Sequence, residues 1–148
     1  MTVHLVKLCV GIDSVQDLRD WQVRRLALLE QTGETIELCH RTRQTPRRRD
    51  EVLDGGSLYW VINGVILARQ RIVDLRETTK DDGRACCGIV LDPQLIATRP
   101  HPRRAFQGWR YLEVADAPED APALEVAGDD VPPPGMREEL RKLRLIDW

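Results

Sequence analysis

At 148 residues, 42% of them hydrophobic, with 22 basic against 24 acidic side chains, the chain has the composition of one ordinary globular domain. A fold of this size buries about 70% of the surface its unfolded chain exposes, so neither a disulfide framework nor a structural metal is needed to hold it. The longest uncharged run, residues 55–68, is shorter than the ~18 residues of a membrane span, and the opening residues lack the basic, apolar and small-residue pattern of a leader; a cytoplasmic protein of bacterial type is expected.

Residues 3–10 are a short β-branched run closed by Gly11, which predicts a first strand. Ser14-x-x-Asp17 reads as a capping box, and Val15, Leu18, Trp21, Leu26 and Leu29 recur every three to four residues until Gly33, which predicts an amphipathic helix. Residues 36–42 alternate, with Ile36, Leu38 and His40 on one face, as a half-buried strand should. Thr45-Pro46 opens a short helix that Gly55 ends. Asn63-Gly64 between two apolar runs predicts a hairpin with a type I′ turn, its strands covering residues 57–62 and 65–75, the second long enough to bend between two sides of a barrel. Asp81-Asp82-Gly83 is a turn, residues 85–91 a central strand, Asp92-Pro93 a further turn, and residues 99–102 an extended connector stiffened by prolines. A late strand is expected over residues 109–112, an acidic, Pro-rich linker over 117–134, and a terminal helix over 136–145.

The near-zero net charge hides an asymmetry. Residues 1–112 carry 18 basic and 14 acidic side chains, residues 113–148 carry 4 and 10. Five arginines, Arg41, Arg43, Arg47, Arg48 and Arg49, lie within nine residues without an acid, and Arg99, Arg103, Arg104 and Arg110 form a second such run, interleaved with Phe106 and Trp109. Guanidinium groups suit bidentate recognition of phosphate or carboxylate, and an aromatic ring beside them can stack a base. The competing reading is a basic face that docks the acidic tail. Strand parity puts Tyr59 and Trp60 on opposite faces, and Trp109 and Tyr111 together on the face opposite Arg110.

Catalytic and metal signatures are missing from the sequence. Cys9, Cys39, Cys86 and Cys87 lack Cys-x-x-Cys spacing and read as buried, reduced thiols; His4, His40 and His101 are scattered; no phosphate loop, dinucleotide fingerprint or nucleophile elbow occurs. No metal and no cofactor are expected.

Leu53-Asp54-Gly55-Gly56-Ser57-Leu58-Tyr59-Trp60-Val61-Ile62, Ala68-Arg69-Gln70-Arg71-Ile72, Leu91-Asp92-Pro93 and Phe106-Gln107-Gly108-Trp109-Arg110-Tyr111-Leu112 together resemble a domain-of-unknown-function family of small uncharacterised bacterial proteins, over nearly the whole chain. The glycine, aromatic strand, tight turn and second strand also resemble the central hairpin of PUA-like barrels of the ASCH and EVE type. That second resemblance implies a small mixed barrel that binds RNA or a modified base, and, by analogy with ASCH-like proteins thought to hydrolyse modified nucleosides, Lys7 as a candidate catalytic amine on the first strand.

The expectation is therefore an α+β fold, a small mixed or antiparallel β-barrel of PUA-like type with an N-terminal and a C-terminal helix. Residues 1–116 form the domain, and residues 117–148 the linker and helix packed on it. Its expected role is RNA or nucleotide binding, with Arg41, Arg43, Arg47, Arg48 and Arg49 attracting phosphates, Arg103, Arg104 and Arg110 positioning them, and Trp109 or Trp60 stacking a base. A small hydrolase of modified nucleosides or amides, using Lys7, and a protein-interaction module are the alternatives.

Overall fold

The computed structural model describes residues 1–79 and 83–121. The expected terminal helix lies outside the described residues, as do residues 122–134 of the linker and Asp81 and Asp82 of the expected turn.

Strand β1 (Val3–Leu8) leads into helix α1 (Val15–Thr32), whose first turn is closed by the Ser14 hydroxyl accepting from the Asp17 amide at 3.1 Å. Gly33, at φ 73°, ends it in the left-handed conformation that glycine adopts without strain. Strand β2 (Leu38–Thr42) and the short helix α2 (Arg49–Leu53) follow, then β3 (Ser57–Ile62) and β4 (Val65–Thr79). Asn63 and Gly64 both have positive φ, 50° and 80°, as the type I′ turn requires. Strands β5 (Ala85–Leu91), β6 (Ile96–Pro102) and β7 (Trp109–Glu113) and a 3₁₀ turn (Val114–Asp116) complete the described chain.

The sheet runs β2-β5-β4-β3-β1-β7, with β6 also paired to β4. All pairings are antiparallel except β1 with β3, whose crossover carries α1, β2 and α2. Because β3 and β6 both pair with residues 65–69 of β4, they occupy its two edges; β5 then continues on the β6 edge from Ile72. Bulges between Ile72 and Asp74 and between Ile66 and Ala68 bend this long strand. The extended connector expected at residues 99–102 is thus part of a strand. Pro100 and Pro102, which have no N–H to give a ladder, sit on an edge where none is demanded. Residues 119–121 continue that edge: the Arg99 amide donates to the Glu119 carbonyl at 2.8 Å and the Ala121 amide to the Ala97 carbonyl at 2.9 Å.

The order ends in two edges, β2 and β7, so the sheet is open. It is also strongly curled. A flat sheet would hold β2 and β3 about 14 Å apart, three strand spacings, yet the His40 and Trp60 rings on these strands meet edge to face at 5.3 Å between centroids. The inner face holds Leu5, Leu38, Leu58, Trp60, Ile72, Leu75, Ile89 and Leu91, packed with Leu18 of α1 and Val52 of α2. A smaller outer cluster joins Val6, Tyr59, Val61, Ile66 and Leu112, with Phe106 against it.

Candidate anion-binding site

Residues 43–48, which leave β2, cross to the opposite edge of the sheet. The Trp109 indole N–H donates to the Gln44 carbonyl at 2.8 Å, and the Arg48 amide donates to the Tyr111 hydroxyl at 3.1 Å. Trp109 and Tyr111 share the inner face of β7 and meet edge to face at 4.8 Å, as their spacing predicts. This contact brings the first arginine run to the strand that carries the second. A closed barrel would join its edges through backbone pairing; here a loop and two aromatic side chains span the gap.

On the outer face of β7 the arm preceding the strand folds back. The Arg103 amide donates to the Gly64 carbonyl at 2.8 Å, pinning the arm to the β3–β4 turn, and Phe106 packs against the outer cluster. Two guanidinium groups sit over its ring, Arg103 at 5.4 Å and Arg110 at 5.3 Å from the centroid. Arg110 is held there by the Gln107 and Trp109 carbonyls, at 2.7 and 3.0 Å. Neither cation meets a carboxylate among the described residues.

Acidic residues pair elsewhere. Arg48 donates to Glu51 at 2.6 Å and Glu113 at 2.8 Å, Arg69 to Asp120 at 2.7 Å, and Arg49 pairs with Asp74 while donating to the Leu75 carbonyl. Arg99 stands 4.0 Å from Glu119. The described start of the acidic tail therefore neutralises Arg48, Arg69 and Arg99. Arg43, Arg47 and Arg104 are exposed and make no ion pair among the described residues.

Some candidates from the sequence fall away. Trp60 is 1% exposed, its indole N–H donating to the Gln70 side chain at 2.9 Å, so it has no face to offer a base. Its enclosure follows from a sheet covered on both sides at β3, where Tyr59 is buried as well. Arg48 and Arg49 are committed to fastening α2, and Trp109, half-buried, is the pin of the 43–48 loop. Arg41 points to the outer face of β2, where it lines a separate cavity of about 290 Å³ with Arg25 and Arg76.

Lys7 is half-buried on the inner face, in register with Trp60 on one side and Trp109 on the other. Burial, with the Lys7 charge adding to it, lowers the pKa of His40 to about 3, so this imidazole is neutral at ordinary pH. Burial also pushes the Cys9 thiol up. The four cysteines are free, and among the described residues no group of three or more His, Cys, Asp or Glu could hold a metal ion. No helix among the described residues is long and apolar enough to cross a membrane.

Sequence reasoning missed Gln44 as the anchor of the loop and Phe106 as the platform for two cations rather than a stacking partner. Nothing local marks either one, because both roles depend on contacts made across the fold.

No curated protein and no solved structure matches the chain. A family model described as a protein of unknown function, DUF1489, matches residues 5–146, nearly all of the sequence, and the chain therefore belongs to that family.

Proposed function

We propose that the protein binds a phosphate-bearing ligand, single-stranded RNA or a nucleotide, along the rim formed by β7 and the arm before it. The observation that carries this reading is the pair of arginines on Phe106. Two like charges gathered over one ring repel each other, and the ring's quadrupole offsets only about 0.5–2 kcal/mol of that for each cation. A bound phosphate would turn the repulsion into two charge-assisted bonds. Glu113, Glu119 and Asp120 pair with other arginines, which leaves Arg103, Arg104 and Arg110 available on one side of β7 and Arg43 and Arg47 on the other. The curled sheet and its inserted helix are compatible with a PUA-like ancestry, although the reading stands on the arginines alone.

Fluorescence polarisation of a labelled single-stranded RNA tests it. If three phosphates are neutralised, the logarithm of the association constant should fall with log salt at a slope of about −2. Replacing Arg103 and Arg110 together by Gln should reduce the slope by about 1.4 and weaken binding to every sequence alike. Failure of both the RNA and a nucleoside monophosphate to bind even at low salt would refute the proposal.

A further inference from the structure

Next to the arginine clamp lies a cavity of about 370 Å³, lined by Leu8, Ile12, Asp13, Val61, Asn63 and Ala105 among others. Clamp and cavity share the outer cluster and the arm before β7. Leu8 and Val61 belong to the same outer cluster as Phe106, and Ala105 stands between Arg104 and Phe106 in the arm that the Arg103–Gly64 bond fixes to the turn. The volume falls within the ~300–1,000 Å³ of small-molecule sites, with aliphatic walls suited to the flat faces of an aromatic ring.

The polar groups at the edge of this cavity select what enters. Asn63 Nδ2 donates to Asp13 Oδ1. The second carboxylate oxygen and the Asn63 amide oxygen remain as acceptors, so the edge favours a group that offers donors. Among nucleobases guanine offers two adjacent ones, N1–H and the 2-amino group, which match a carboxylate. Uracil presents a single N–H between two carbonyl oxygens, which the carboxylate repels.

We infer that this cavity is a base subsite for a guanine nucleotide whose phosphate rests on Arg103 and Arg110. The inference rests on the anion-binding reading above and specifies the ligand class of that site. It places apolar ring contact and phosphate contact on the two sides of Ala105, so that a mononucleotide spans both.

Titration calorimetry on the full chain, at one ionic strength, with guanosine 5′-monophosphate, uridine 5′-monophosphate and ribose 5-phosphate tests this. The guanine nucleotide should bind about tenfold more tightly than either of the others. Asp13→Asn keeps an acceptor for Asn63 but loses the paired oxygens, and Ala105→Trp fills the cavity mouth. Each should bring guanosine 5′-monophosphate to the affinity of ribose 5-phosphate while leaving ribose 5-phosphate within about twofold. Equal binding of the guanine nucleotide and ribose 5-phosphate by the unmodified chain overturns the subsite, as does a guanine preference that survives both substitutions. If the subsite fails in this way while labelled RNA still shows its salt dependence, only the base pocket is lost. If RNA, the nucleotides and ribose 5-phosphate all fail to bind, the anion site falls with it.

Discussion

A methyl group placed on Gly56 would overlap the backbone carbonyl oxygens of Val52 and Val3, whereas one placed on Gly55 would meet nothing within 4 Å. The two neighbours are glycine for different reasons. Gly55 has φ 82° and ends α2 in the left-handed region, a role legible in the sequence from its position after the short helix. Gly56 lets α2 and β1 close on each other, its amide donating to the Val52 carbonyl at 2.9 Å, and no local pattern announces such an approach. Gly55→Ala should cost about 1 kcal/mol and Gly56→Ala about 3 kcal/mol or more, read by urea unfolding. His40 carries a second prediction at this scale. Its pKa is lowered from 6.5 unfolded to about 3 folded, so its contribution is complete above pH 6.5 and is lost as the pH falls towards 3, when the unfolded chain takes up a proton that the folded one refuses. Asp74 and Asp120, whose carboxyl groups are held low by Arg76 and Arg69, add to acid lability but cancel in a comparison of variants. Between pH 7 and pH 4 the unmodified protein should lose about 3 kcal/mol more than His40→Phe, by denaturant titration at each pH.

Helix α1 is joined to the sheet by a buried amide pair. Gln22 Nε2 donates to Gln70 Oε1 at 2.7 Å and Gln70 Nε2 returns the bond to Gln22 Oε1 at 2.9 Å; Gln70 also receives the Trp60 indole N–H and donates to the Asp92 carbonyl at 3.1 Å. Helical spacing puts Gln22 in line with Leu18 and Leu29, yet a reading that follows apolar residues passes over it, because side-chain polarity hides its position on the buried face. Gln70→Leu leaves Gln22, the Trp60 N–H and the Asp92 carbonyl short of a partner, and should cost about 2–4 kcal/mol. The double replacement Gln22→Leu with Gln70→Leu should cost less than the sum of the single ones; additive costs would show that the two amides do not act as a pair. Other elements were more legible: β3, β4 and the turn between them follow from Asn63-Gly64 and its flanks. Residues 99–102 of β6 read as a connector in the sequence because of their prolines, which forbid only a central position, and sequence alone does not say which strands will lie at an edge.

At the scale of the molecule, curl decides which residues can act together. Strands β2 and β7 are five spacings apart in the order, about 24 Å if flat, and the 43–48 loop reaches across only because the sheet folds towards itself. The arginine runs were visible in the sequence, but their convergence was not, since it depends on a bond between positions 44 and 109 and on which acids take which arginines. Tyr111→Phe keeps its ring and removes only the hydroxyl acceptor, while Trp109→Phe keeps a smaller aromatic ring against the core and removes the indole donor. Two such bonds are worth about 1–3 kcal/mol together, so the domain should remain folded while the loop loosens. Hydrogen exchange at the Arg48 amide, which now donates to Tyr111, should accelerate. RNA affinity should fall even though no arginine is altered, because Arg43 and Arg47 would no longer be held beside β7. Faster exchange with unchanged affinity would confine the ligand to the Phe106 side of the strand, and unchanged exchange would mean that the loop is fixed by contacts other than these two.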